Sequence, residues 1–82
     1  MKHNDKFETF NRSNPEVYRA YKTLVLNRIA AGHDRIGSKA IIETIRYRDK
    51  VKISNNYTAY YSRRFIREFP QFTDLFVFKR IS

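Results

Sequence analysis

The chain has no cysteine, which excludes disulfides and any thiolate metal site and fits a reducing compartment. Histidine is nearly as scarce. His3 and His33 stand alone, no His-x-x-x-His spacing exists, and a site that needs several converging ligands has too few groups to draw on. No run approaches the roughly 18 apolar residues of a membrane span, and Met1 to Glu8 lacks the apolar stretch of a signal peptide. A glycine-rich phosphate loop and a nucleophile elbow are missing too. The adjacent pair His33-Asp34 is the nearest thing to an acid–base dyad. Neighbours in the chain rarely aim their side chains at each other, and turn chemistry accounts for Asp34. A disulfide scaffold, a membrane span, a metalloenzyme and an acid–base enzyme are therefore not expected. No catalytic residue, metal or cofactor is assigned.

Acids are also few, and here the absence points somewhere. Among 82 residues, 17 Lys and Arg face 8 Asp and Glu, a formal net charge of +9. The length allows one domain, 1–82, with a core built from a sequence 41% hydrophobic and 16% aromatic. The charge is uneven: residues 1–38 carry +3 and residues 39–82 carry +6. Between Arg46 and Arg67 seven bases (Arg46, Arg48, Lys50, Lys52, Arg63, Arg64, Arg67) meet the single acid Asp49. Polyanions are the natural partners of such a surface, through Coulomb attraction and counterion release from phosphates. Solubility alone is the bland alternative.

The first twelve residues read as a polar, partly flexible segment whose Phe7 and Phe10, three apart, tuck onto the core from a short amphipathic turn. Asn14 as N-cap, Pro15 at the first position and Glu16 in the first turn then open a helix. Its stripe is Val17, Tyr18, Tyr21, Leu24, Val25 and Ile29, and Gly32 closes it, giving a helix over 15–31. After the connector 32–37, Ser38 as N-cap and the apolar face Ala40, Ile41, Ile42 and Ile45 predict a helix over 39–48. Lys39, Glu43, Arg46 and Tyr47 fall on its exposed side. Lys50-Val51-Lys52-Ile53-Ser54 alternates polar and β-branched residues, a strand pattern. Ser54-Asn55-Asn56 offers N-caps for a helix over 56–68, with Ala59, Ser62, Ile66 and Phe69, joined by Phe65, turned inward and Pro70 stopping it. A turn at Thr73-Asp74 and a strand over 75–81 end the chain, the strand pairing antiparallel with Val51 to Ile53.

This is an α+β expectation: a mainly α, winged-helix-like domain with helix, helix, strand, helix, strand in order. In such a fold the third helix docks in the major groove. Asn55 and Asn56 are candidates to read an adenine edge, one of them capping the helix and the other facing outward. Arg63 and Arg64 suit guanine or phosphate. Tyr57, Tyr60 and Tyr61 can pack phosphate or sugar, with at least one of the three expected in the core instead, Thr58 extends that surface, Arg67 adds charge, and Arg46, Arg48, Lys50 and Lys52 fit phosphate contacts at the flank. Each cation, singly, is also compatible with a solvated surface position.

The segments Phe7-Glu8-Thr9-Phe10, Asn14-Pro15-Glu16-Val17-Tyr18, Gly32-His33-Asp34-Arg35-Ile36-Gly37, Ala40-Ile41-Ile42-Glu43-Thr44-Ile45-Arg46 and Asn55-Asn56-Tyr57 resemble a family of small uncharacterised phage and prophage proteins. The resemblance covers nearly the whole chain. It implies a phage or bacterial origin, hence the cytoplasm of a bacterial host cell, and supplies no activity. The leading expectation is a regulator that binds duplex DNA, with a homodimer as one way to enlarge a small footprint. The rival is a protein that binds and inhibits a host nuclease or the transcription machinery, which Tyr and Arg richness also suits. RNA binding through stacked tyrosines is a third.

Overall fold

Pro15 divides what would otherwise be one long helix at the start of the chain. A residue before proline is pushed out of the helical region, and Asn14 sits at φ −131°, ψ 61°. The computed structural model describes residues 2–76. It places α1 at Lys2–Ser13 and α2 at Pro15–Ala30 on either side of that break. The amphipathic turn expected around Phe7 and Phe10 is thus a full helix, and Phe7 is buried while Phe10 packs at the core's edge. Asn14 does not cap α2. Its side-chain amide and its backbone N–H both donate to the Phe10 carbonyl, at 3.0 and 2.8 Å, and so close α1 instead.

α2 ends as expected. Gly32, at φ 91°, takes the left-handed position, its N–H donates to the Ile29 carbonyl and that of His33 to the Arg28 carbonyl, the paired bonds of a Schellman motif. α3 spans Ser38–Asp49; of its expected face Ile41, Ile42 and Ile45 are fully buried, while Ala40 is exposed. Gly37 occupies the cap position, so Ser38 is the first helical residue. The Ser38 hydroxyl donates to the Thr58 carbonyl at 3.0 Å and accepts from Tyr21 Oη at 2.7 Å. One hydroxyl therefore ties three helices together, which a cap would not do.

The chain then runs through a 3₁₀ turn at Asn55–Tyr57 into α4, Thr58–Glu68, and a 3₁₀ segment at Pro70–Leu75. The α+β expectation is overturned: among the described residues there is no strand and no sheet, and the fold is all-α. Lys50–Ser54 is the reason the sequence misleads. Its alternation correctly marks Ile53 as buried, Val51 as half-buried and Lys52 as exposed. The Ile53 carbonyl, however, is held by the Arg46 guanidinium (Nε 2.9 Å, with a second bond from the same group) rather than by a neighbouring strand. In-and-out alternation reports burial, and here a side chain supplies the hydrogen bond a ladder would have made. Of the second expected strand, Leu75 is in the 3₁₀ segment, Phe76 makes one isolated parallel bridge with Ile36, and 77–81 lie outside the described residues. The expected pairing with Val51 to Ile53 is replaced at Phe76 by that bridge, where the Ile36 N–H donates to the Leu75 carbonyl at 2.7 Å. Among the described residues there is therefore no wing.

The core is a helical one filled by rings. Tyr61 lies against Tyr21 (5.6 Å between ring centres), Tyr18 (6.2 Å) and the edge of Phe7 (4.9 Å). Phe65 links this group, through Tyr21 at 6.4 Å, to Phe69, Phe72 and Phe76 at 4.8, 6.4 and 5.5 Å. Phe76 and Ile36 are both buried, and Phe76 reaches α4 through the Phe65 ring.

Candidate nucleic-acid interface

α4 is turned differently from the stripe the sequence suggests. Its buried residues are Tyr61, Ser62 and Phe65; Ala59 is exposed, and Ile66 and Phe69 are half-buried. The choice follows from area. A tyrosine ring removes far more apolar surface from water than an alanine methyl, and stacked rings add about 0.5–1.5 kcal/mol per pair. Tyr61 therefore wins the inward position. Its hydroxyl is buried without a hydrogen-bond partner, and burial raises its pKa above the ordinary tyrosine range. As a groove-contacting residue Tyr61 is ruled out.

Five more of the expected contacts, Arg64, Arg46, Asn55, Thr58 and Tyr57, are drawn into the fold. Arg64 makes an ion pair with Glu8 of α1 at 2.5 Å and lies over the Phe7 ring at 5.5 Å. Arg46 donates to the Ile53 carbonyl and, at 2.7 Å, to Asn55 Oδ1. That clamp folds the segment after α3 back against the helix and occupies the acceptor with which Asn55 would read a base. Neither Asn caps a helix through its side chain: Ser54 Oγ accepts from the Asn56 N–H at 3.2 Å and does the capping. Thr58 is half-buried and gives its carbonyl to Ser38. Tyr57 packs on Phe7 and Phe10, with ring centres 5.6 and 5.2 Å away.

What remains outside forms two groups. Along α4 and the turn before it, Asn56, Ala59, Arg63 and Arg67 are exposed, with Tyr60 half-buried beside them. Steps of three and four residues put them on one stripe. Arg63 lies over the Tyr60 ring at 5.6 Å, which orients its guanidinium. Ala59 sits between Asn56 and Arg63 in a shallow hollow that the Tyr60 side chain also lines. The second group is the last turn of α3 with the segment that follows: Arg48, Lys50 and Lys52 are exposed around a concavity of about 800 Å³. Arg48 pairs with its neighbour Asp49, at 3.1 Å. Among the described residues, the Lys50, Lys52 and Arg67 side chains have no ion-pair partner.

Two residues of these groups do not stand out as contacts in the sequence. Ala59 reads there as a core residue, yet it is exposed. Tyr47 reads in the sequence as an outer-side residue of α3 with no role of its own, and of the large hydrophobic side chains described it is the most exposed, at 88%. An aromatic opposite the Ile41, Ile42 and Ile45 stripe, between Arg46 and Arg48, was the available signal. On the remaining face, Glu68 accepts from Tyr18 Oη at 2.8 Å and meets Lys22 at 3.4 Å, joining α4 to α2. Those contacts, the tyrosine hydrogen bond first, hold the Glu68 carboxyl below the usual carboxylate range.

No group of three or more His, Asp or Glu able to hold a metal ion occurs among the described residues. No helix among them is long and apolar enough to cross a membrane. Comparison of the chain with protein-family models, with curated proteins and with solved structures gave no match.

Proposed function

We propose that this domain binds duplex DNA, with the exposed stripe of α4 against the major groove and the cations after α3 on the flanking phosphates. The observation that carries the reading is the composition of that stripe. Asn56, Arg63 and Arg67 offer donors suited to base edges and phosphates, and Ala59 between them leaves room for the close approach of the helix. Asn55, Tyr61, Arg64 and Arg46 drop out of the reading surface because the fold uses them. The connection between α3 and α4 runs over 50–57, longer than the turn of three or four residues in a helix-turn-helix. The proposal is therefore of a helix presented by a bundle, without a wing. A lone domain of this size would cover about 600–1,000 Å² of its own surface on DNA, so a site-specific regulator of phage or host genes would act with a second copy. The host-protein reading calls for a contiguous apolar patch. The large apolar side chains exposed among the described residues are Leu26 and Tyr47, and Tyr47 stands among cations.

The test is a salt titration of binding to mixed-sequence duplex DNA. Arg48, Lys50, Lys52, Arg63 and Arg67 on five phosphates give a slope of log K against log salt of about −4 to −5. Arg63→Ala/Arg67→Ala should lower its magnitude by about 2, while Arg12→Ala/Arg19→Ala, on α1 and α2, should leave it unchanged. Ala59→Glu should abolish binding without loss of stability, since the site is exposed. Absence of binding at about 50 mM salt, where counterion release is strongly favourable, would refute the reading.

A further inference from the structure

Lys50 ends α3 in the left-handed conformation, φ 55° and ψ 41°, and the Arg46 clamp on Ile53 and Asn55 holds the following segment against the helix. These two features make the concavity lined by Arg46, Tyr47, Arg48, Lys50, Val51 and Lys52. Four of the six lining residues are cationic. A ring 88% exposed in that setting has no packing role in the fold, so its free faces are available to a ligand. Duplex DNA does not use them well, because its bases are already stacked on one another. A ligand that combines free aromatic faces with closely spaced negative charges is a nucleic-acid strand with unpaired bases.

We propose that this concavity is a stacking site for an unpaired base, with Tyr47 as the platform and Arg48, Lys50 and Lys52 on the adjoining phosphates. The domain then prefers a duplex that carries a single-stranded end over the same duplex with blunt ends. This deepens the nucleic-acid reading above, and it rests on that reading only in taking the ligand to be a nucleic acid. Base–aromatic stacking acts through the π-face and tolerates any base, so the preference is for strand form and not for sequence. Arg46 shapes the site instead of contacting the strand, its guanidinium being committed to Ile53 and Asn55.

The experiment compares three fluorescently labelled probes by anisotropy: a blunt duplex, the same duplex with a dT overhang, and a free dT oligonucleotide. The overhang duplex should bind more tightly than the blunt one. Tyr47→Ala should cost about 5- to 150-fold on the overhang and dT probes and nothing on the blunt duplex, and Tyr47→Phe should behave as wild type. Because the chain has no tryptophan, Tyr47→Trp supplies a single reporter, whose emission should be quenched by the overhang duplex and not by the blunt one. Substitution at so exposed a position should leave the thermal melt unchanged. Equal affinity of wild type and Tyr47→Ala for the overhang probe, or an unquenched tryptophan in the bound state, would overturn the proposal. Tyr47-dependent binding of dT without binding of the blunt duplex would uphold the stacking site and sink the duplex reading. Intact duplex binding with no effect of Tyr47 would do the reverse.

Discussion

Replacing Lys50 by glycine should stabilise the protein and, on the proposed reading, weaken its binding to DNA. Lys50 is the non-glycine residue with positive φ among those described, at 55°, and an L-residue in that conformation costs about 1–2 kcal/mol because Cβ crowds the carbonyl oxygen. Glycine removes the crowding, and its greater freedom in the unfolded chain takes back about 0.5–1 kcal/mol. The net gain is about 0.5–1 kcal/mol, which for a domain of this size raises the melting temperature by about 3–6 °C. Charge is a confounder, because Lys50 stands near Arg46, Arg48 and Lys52 in a chain of net +9. Lys50→Ala separates the two effects, since it deletes the charge and keeps Cβ. Urea denaturation of the wild type, Lys50→Gly, Lys50→Ala and Lys50→Asn, followed by far-UV circular dichroism, should rank glycine first, asparagine next and alanine with the wild type. If alanine gained as much as glycine, relief of repulsion and not of backbone strain would be the cause. If glycine gained nothing, the left-handed conformation at Lys50 would itself be wrong. The glycine variant should also lower the magnitude of the salt slope for DNA by about 1. That opposition of stability and binding is what a cation kept at a strained position would give.

The two buried tyrosines of the central stack should respond oppositely to loss of the hydroxyl. Tyr61 Oη has no partner, so Tyr61→Phe should be neutral or stabilising by up to about 1 kcal/mol, whereas Tyr21→Phe gives up the 2.7 Å bond to Ser38 and should cost about 0.5–1.5 kcal/mol; equal losses in urea denaturation would contradict the assignment. Glu68 is held below the usual carboxylate range by Tyr18 first and Lys22 after it, so its contribution is present above the unfolded-state carboxylate pKa and disappears as pH falls through the lower folded value. Thermal melts taken from neutral to acid pH should therefore show a shallower acid limb for Glu68→Gln than for the wild type, and parallel limbs would show that Glu68 does not link α2 to α4.

Where the sequence was informative, local backbone chemistry was in charge. Pro15 and Gly32 delimit α2, Pro70 follows the end of α4, and the isoleucines of α3 leave it one way to face. Two kinds of feature could not be read. One is competition between side chains for the core: Ala59 and Tyr61 are both compatible with the inner face of a helix over 56–68, and only the rings waiting at Phe7, Tyr18 and Tyr21 decide for Tyr61. The other is where backbone hydrogen bonds end. Lys50–Ser54 has the alternation of a strand, but pairing needs a neighbour, and the Arg46 side chain takes that place seven residues away in sequence. In each case the missing information is a contact between segments, not a property of either segment.

The same contacts change what the positive charge means. A basic run from Arg46 to Arg67 suggests one surface seven cations wide, yet the fold divides it. Arg46 and Arg64 are anchored, one to a carbonyl and an asparagine, the other to Glu8. Their removal would leave Ile53, Asn55 or Glu8 short of a partner and would act on stability. Arg48, Lys50, Lys52, Arg63 and Arg67 remain for a polyanion, and of these Lys50 alone also bears on the backbone. On the proposed reading, stability and binding depend on nearly separate sets of cations within one continuous stretch of sequence. An Ala scan scored only by loss of DNA binding would merge them. Scored by binding and by melting temperature together, it would sort the stretch into residues that build the interface and residues that touch the ligand.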